Sequence, residues 1–141
     1  AEKAHARVGM QAAAIGLTYR FDGMKPTNTF DAHRLAKHAR AAGLESEVTE
    51  RLMSAYFTEG RLISDPEVLA DIAAEAGMDR AQALEALGDK NRHVLEVQED
   101  EAQARKLRVT GVPYFLVNGR FVISGAQPVD VFLATLQQAG V

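Results

Sequence analysis

Thr110-Gly111-Val112-Pro113 opens a run of alternating and β-branched residues, and its proline stands where a strand begins. Proline has no N–H to donate, but at the first residue of a strand that loss costs nothing, and an ordinary trans bond satisfies this reading. A cis Val112-Pro113 bond is the alternative, turning the backbone of Val112 outward so that its N–H and carbonyl can pair with an extended peptide. Local sequence leaves both open. The other reactive side chains are less organised. His33 and His38 lie five apart, rotated by about 140° around a helix and therefore not stacked as an i, i+4 metal pair. His33, within NTFDAHRLAKHA, reads as a packed or capping-region histidine, and His5 and His93 stand in no constellation. Ser124 lacks a nucleophile elbow, no phosphate-binding glycine pattern occurs, and Asp100 and Glu101 are neighbours on a charged, solvated segment. Neither a metal site nor a cofactor is expected.

The sequence contains no cysteine. That single count removes disulfides, thiolate nucleophiles, Cys-x-x-Cys pairs and cysteine zinc sites together, so these residues by themselves are expected to be redox-inactive. With 141 residues, 47% of them apolar and 25% charged, there is enough material for a compact core. The net charge of −3 gives no general attraction to nucleic acid. Arg105, Lys106 and Arg108 follow Glu96, Glu99, Asp100 and Glu101, the order a helix dipole favours, so they are read as a helix end and not as a phosphate site. No apolar run approaches membrane-spanning length and no signal peptide is visible, so a cytoplasmic protein with no membrane or nucleic-acid partner is expected.

The elements that must position these residues follow from punctuation and period. A helix is expected over residues 1–15, with Ala4, Val8, Ala12 and Ile15 on one face and Gly16 as its stop. Leu17, Tyr19 and Phe21 alternate with polar residues, as in a short strand or extended connector. From Asn28 to about Leu107 the pattern is helical. Asn28 with Asp31, Ser46, Asp65 followed by Pro66, and Asp79 with Gln82 are each placed to start a helix. Gly43, Gly60, Gly77 and Gly88 are placed to stop them. A charged fifth helix carries Val94, Val97, Ala104 and Leu107. The period then changes to two: Tyr114 to Val117 and Arg120 to Ser124 form strands joined by Asn118-Gly119, a pair suited to the positive φ angles of a type I′ turn. A last helix starts at Pro128, with Val129, Phe132, Leu133 and Leu136 along one face. One hairpin cannot cover so many helices, and both of its faces are apolar, so the sheet reads as missing strands.

NTFDAHRL at 28–35, AYFTEG at 55–60 and GVPYFLVNGRFVISGAQ at 111–127 together resemble the DsbA-type thioredoxin-like oxidoreductases of the FrnE subfamily. The resemblance implies an α/β chain with an incomplete thioredoxin-like fold, its C-terminal ββα joined to a large α-helical insertion. Residues 1–24 would be a helix and connector from the thioredoxin-like side, 25–107 the inserted helices, and 108–141 the closing ββα unit with a cis-proline loop. Pro113 would match the cis-proline and Val112 the residue whose backbone pairs with substrate, with Gly111 and His33 lining the site. Such proteins act on a protein or low-molecular-weight thiol or disulfide through a Cys-x-x-Cys helix. That helix and its preceding strand are lacking here, so the resemblance implies the C-terminal portion of a longer oxidoreductase. Two alternatives remain at this stage. One is a relative of the glutathione-dependent kappa-class transferases and 2-hydroxychromene-2-carboxylate isomerases. The other is a non-catalytic peptide-binding module that self-associates or exchanges strands through its incomplete sheet.

Overall fold

The structure is a computed structural model that describes the backbone of residues 2–141 and the side chains from His5 onward. The chain divides into two compact units, Ala1–Glu99 and Asp100–Val141.

The first unit holds helices α1 (Glu2–Ala14), α2 (Phe30–Arg40), α3 (Glu45–Phe57), α4 (Pro66–Glu75), α5 (Arg80–Gly88) and the start of α6 (Val94–Lys106). Two of the expected caps form as the sequence dictates. The Asp65 carboxylate accepts from the Glu67 N–H at 2.9 Å, with Pro66 at the first helical position, and the Asp79 carboxylate accepts from the Gln82 N–H at 2.9 Å. The other two are displaced. Asn28 accepts from the Phe30 N–H at 2.9 Å in a local turn, so Thr29 becomes the cap position of α2, and Asp31 turns instead to Arg34. Ser46 lies inside α3, which starts behind Leu44 without a side-chain cap.

Apolar faces of α2 to α5 meet in one core around Leu35, Val48, Leu69 and Ile72, all fully buried, with Ala39, Leu52, Ala55, Ala73, Ala83 and Leu87 filling between them. Alanines at these positions let the helix backbones approach closely. The expected face of α1 is not a buried one: Ala12 is buried, but Val8 is exposed and Ile15 is 75% exposed, while Ala4 lies outside the described side chains.

Residues 17–20 form no strand, and Phe21–Gly23 is one 3-10 turn. Their alternation serves an extended connector whose partners are a helix end: the Arg20 N–H donates to the Phe57 carbonyl at 2.8 Å, and Thr58 Oγ1 donates to the Thr18 carbonyl at 2.8 Å. Tyr19 stacks on Phe57 with centroids 4.9 Å apart. Gly60 makes the close approach possible, since it sits at φ 67° and a Cβ there would meet the Gly23 carbonyl oxygen at 3.2 Å.

The second unit contains the rest of α6, strands β1 (Tyr114–Val117) and β2 (Phe121–Ser124), and α7 (Val129–Ala139). The strands pair antiparallel, Tyr114 opposite Ser124 and Val117 opposite Phe121. Asn118 and Gly119 have φ of 48° and 67°, the double positive pair that the two-residue turn requires. α7 packs against the face that carries Phe115 and Ile123; Phe115 meets Phe132 edge to face at 4.9 Å, and Ile123 is buried. On the opposite face Leu116 and Val122 sit side by side and exposed. The expected apolar stripe of α7 is only partly used: Phe132 and Leu136 are half-buried, whereas Val129 is 74% exposed and Leu133 is exposed too. A two-stranded sheet is too narrow to cover it.

Candidate functional site

The Gly111-Val112-Pro113 segment stands at the entrance to β1. The hairpin ladder continues one step beyond Tyr114 and Ser124, because the Gly125 N–H donates to the Pro113 carbonyl at 2.8 Å. Gly125, at φ 83°, turns the chain there. Gln127 closes the turn, its side-chain amide donating to the Ser124 carbonyl at 2.8 Å and its own N–H to the Gly125 carbonyl at 3.0 Å. The run Ser124-Gly125-Ala126-Gln127 thus holds Pro113 in place. The Val112-Pro113 peptide is cis. Val112 is 86% exposed, and among the described residues neither its N–H nor its carbonyl has a hydrogen-bond partner. An extended backbone laid alongside would find one donor and one acceptor there, fixed by the ladder next to them.

His33 belongs to the first unit and Gly111, Val112 and Pro113 to the second, and each is described within its own unit. His33 is not packed: it is exposed, at the rim of an apolar pocket of about 260 Å³ between α2 and α3. Ala32, Leu52, Met53, Tyr56 and Ile63 are among the residues of its wall. The reason is angular, since Ala32 and Leu35 take the buried side of α2 and place His33 on its outer edge.

Two arrangements escape a local reading of the sequence. Arg34, only 3% exposed, uses all five guanidinium N–H groups. Its Nε donates to the Arg92 carbonyl at 2.9 Å, one terminal nitrogen to Asp31 at 2.8 Å and the Leu87 carbonyl at 3.4 Å, and the other to the Ala86 carbonyl at 3.2 Å and the Asp89 carbonyl. The open carbonyls at the end of α5 are thereby capped from α2. The second arrangement gives His93 the constellation that its sequence neighbours conceal. Its Nδ1 lies 2.6 Å from Glu96 Oε1 and its Nε2 lies 3.2 Å from Nδ1 of His38. The His38 imidazole is held below its ordinary pKa, first by burial, then by His93 and Arg92, with Glu85 acting in the opposite direction. His5 also has a partner, stacking on Phe21 with centroids 4.6 Å apart. Among the described residues no three histidine or acidic side chains converge to hold a metal ion, and no helix is long and apolar enough to cross a membrane.

Comparison with known proteins agrees with this architecture. The chain is 35% identical to a probable DsbA oxidoreductase from Streptomyces coelicolor whose crystal structure it matches with a TM-score of 0.90, over 98% of this chain and 59% of that one. It is 29% identical to the uncharacterised protein YwbO of Bacillus subtilis over 122 residues, 86% of this chain and 60% of that protein. Over 85 residues it is 31% identical to the thiol:disulfide interchange protein DsbA of Azotobacter vinelandii, covering 57% of this chain and 37% of that protein. The chain therefore spans less than two thirds of the length of each. The model of the DSBA-like thioredoxin domain matches residues 1–137. With its helices and two-strand sheet the chain has the DsbA-like thioredoxin fold, and it belongs to the DSBA-like thioredoxin domain family.

Proposed function

We propose that these residues are the C-terminal, substrate-cradling part of a thiol-disulfide oxidoreductase or isomerase of the FrnE subfamily, whose redox cysteines are supplied by a segment outside them. The free backbone donor and acceptor of Val112 carry this reading. Family membership without a cysteine supports it, as does the span of 59% of the probable DsbA oxidoreductase. In this scheme 108–141 closes the thioredoxin-like domain, 25–107 is its helical insertion, and 1–24 leads from one to the other. Val112 pairs main chain to main chain with a protein or small thiol or disulfide substrate, and Pro113 and Gly111 shape the loop. The chemistry belongs to the absent pair: a thiolate attacks the substrate disulfide, a mixed disulfide forms and one substrate thiolate leaves, and the second cysteine then resolves the mixed disulfide.

The test joins sequence to assay. The upstream reading frame is expected to encode a strand followed by Cys-x-x-Cys, and a protein including that segment is expected to reduce insulin disulfides with dithiothreitol while residues 1–141 alone read as background. An upstream frame without the cysteine pair, or disulfide reduction by the cysteine-free chain, overturns the proposal. Exposed Leu116 and Val122 favour a second reading, a non-catalytic module that binds its own copy through the sheet. Sedimentation decides it: a monomer at all concentrations removes that reading and leaves the first untouched.

A further inference from the structure

Glu96, His93 and His38 form a hydrogen-bonded row joining the head of α6, the connection from α5, and the last turn of α2. A carboxylate only accepts, so the proton between Glu96 and His93 sits on Nδ1 of His93. Neutral His93 then presents a bare Nε2, and His38 donates to it from Nδ1. One added proton leaves this bond intact: it can sit on His93 beside Glu96, with His93 Nε2 then donating to Nδ1 of a His38 whose own proton has moved to its Nε2. A second proton cannot be accommodated. Both facing nitrogens would then carry hydrogen 3.2 Å apart, and two cations would repel across the lost bond.

We propose that the His38-His93 pair is a proton-operated latch that keeps the head of α6 fastened to α2 while it holds at most one proton and releases it when it holds two. The charged surroundings set how readily that happens. Arg92 on the connection opposes protonation of His38, Glu85 on α5 favours it, and the Glu96 carboxylate on α6 lies 2.6 Å from Nδ1 of His93. Arg92 is in turn drawn by Glu85 at 3.9 Å and Asp89 at 3.6 Å, and Asp79 shares with His38 the wall of a cavity of about 310 Å³. Burial and the neighbouring cations lower the affinity of His38 for its proton, which puts the second protonation on the acid side of an ordinary histidine. The release is local. Arg34 still holds the Asp89 and Arg92 carbonyls by bonds that do not titrate in this range, so the connection stays attached while the side chain of His93 lets go.

The experiment is a proton NMR titration of the 141-residue chain from about pH 8 to pH 4.5, with amide hydrogen exchange followed at each pH. The rings of His38 and His93 are expected to report two separated steps. Protection factors at 93–97, which remove the intrinsic slowing of exchange in acid, are expected to fall about tenfold through the lower step. The core amides of α2 and α4 remain protected. His93→Gln is expected to abolish the acid-dependent fall, and Glu96→Gln to move the first step to lower pH. Independent single-step titration of His38 and His93, or protection at 93–97 that is indifferent to the lower step, overturns the proposal. The titration of the unsubstituted chain decides it even where a variant does not fold.

Discussion

Arg34 shows how one side chain can fasten segments far apart in sequence. Its fork reaches carbonyls of residues 86, 87, 89 and 92, so it closes α5 and anchors the connection beyond it. Lysine cannot reproduce this, having one ammonium where the arginine presents a planar set of five donors. Arg34→Lys is expected to destabilise the chain by about 3 kcal/mol, the scale of leaving buried carbonyls and a buried charge partly unsatisfied, read as a lower urea midpoint at unchanged slope. Asp31 is the local partner in NTFDAHRL, but nothing there announces the capping role, because the carbonyls that Arg34 serves lie 52 to 58 residues away. His93 was obscure for the same reason, its ring partner His38 being 55 residues distant. Val112 and Pro113 stood out in the sequence because proline alters the backbone where it stands, a property that needs no distant partner.

At the scale of elements, punctuation was the legible part. Asp65-Pro66, Asp79 and Asn118-Gly119 satisfy or bend the backbone within three residues of themselves, and each does so where its spacing indicates. Asn28 and Ser46 have the right chemistry at the wrong helical phase: the packed faces begin at Ala32 and Val48, and those faces set the register of the helix starts. Asp79→Ala is therefore expected to cost about 1 kcal/mol in chemical denaturation, while Ser46→Ala stays within about 0.5 kcal/mol. Equal effects at both positions would show that capping is not what distinguishes them. The segment 17–21 illustrates what alternation leaves unsaid. Period two tells which side chains share a face, and the backbone partner, here the end of α3, comes from tertiary structure.

Across the whole molecule the apolar material is unequally spent. Apart from Ile123, every residue of the buried apolar core lies in the first unit, so the second leaves more of its apolar surface uncovered. The first unit also has a charge lattice on its outside, where Arg51 and Arg61 each reach both Glu59 and Glu75. Hydrogen bonds from Arg51 are the chief reason both carboxyls sit below their ordinary pKa of 4.5, with burial opposing and Arg61 adding to the effect. Since the folded acids bind protons less readily than the unfolded ones, this stabilisation is complete above the ordinary carboxylate range. It is lost as pH falls through the lowered folded values. The side chains are about two fifths exposed, so the contribution is modest and screened by salt. Urea midpoints measured at pH 7 and in acid should show Glu75→Gln with a smaller acid loss than the parent, the difference shrinking in about 0.5 M salt.

The turn residue Asn118 has a second bond, its side-chain amide donating to the carbonyl of Ala139 at 2.9 Å. The tip of the hairpin is thus stapled to the far end of α7, and the second unit closes on itself like a buckle whose tongue is the last turn of that helix. Residues 137–141 consequently bear on strand register as well as on the helix they terminate. Trimming them is expected to loosen a turn some twenty positions upstream, read as lower hydrogen-exchange protection of the hairpin amides.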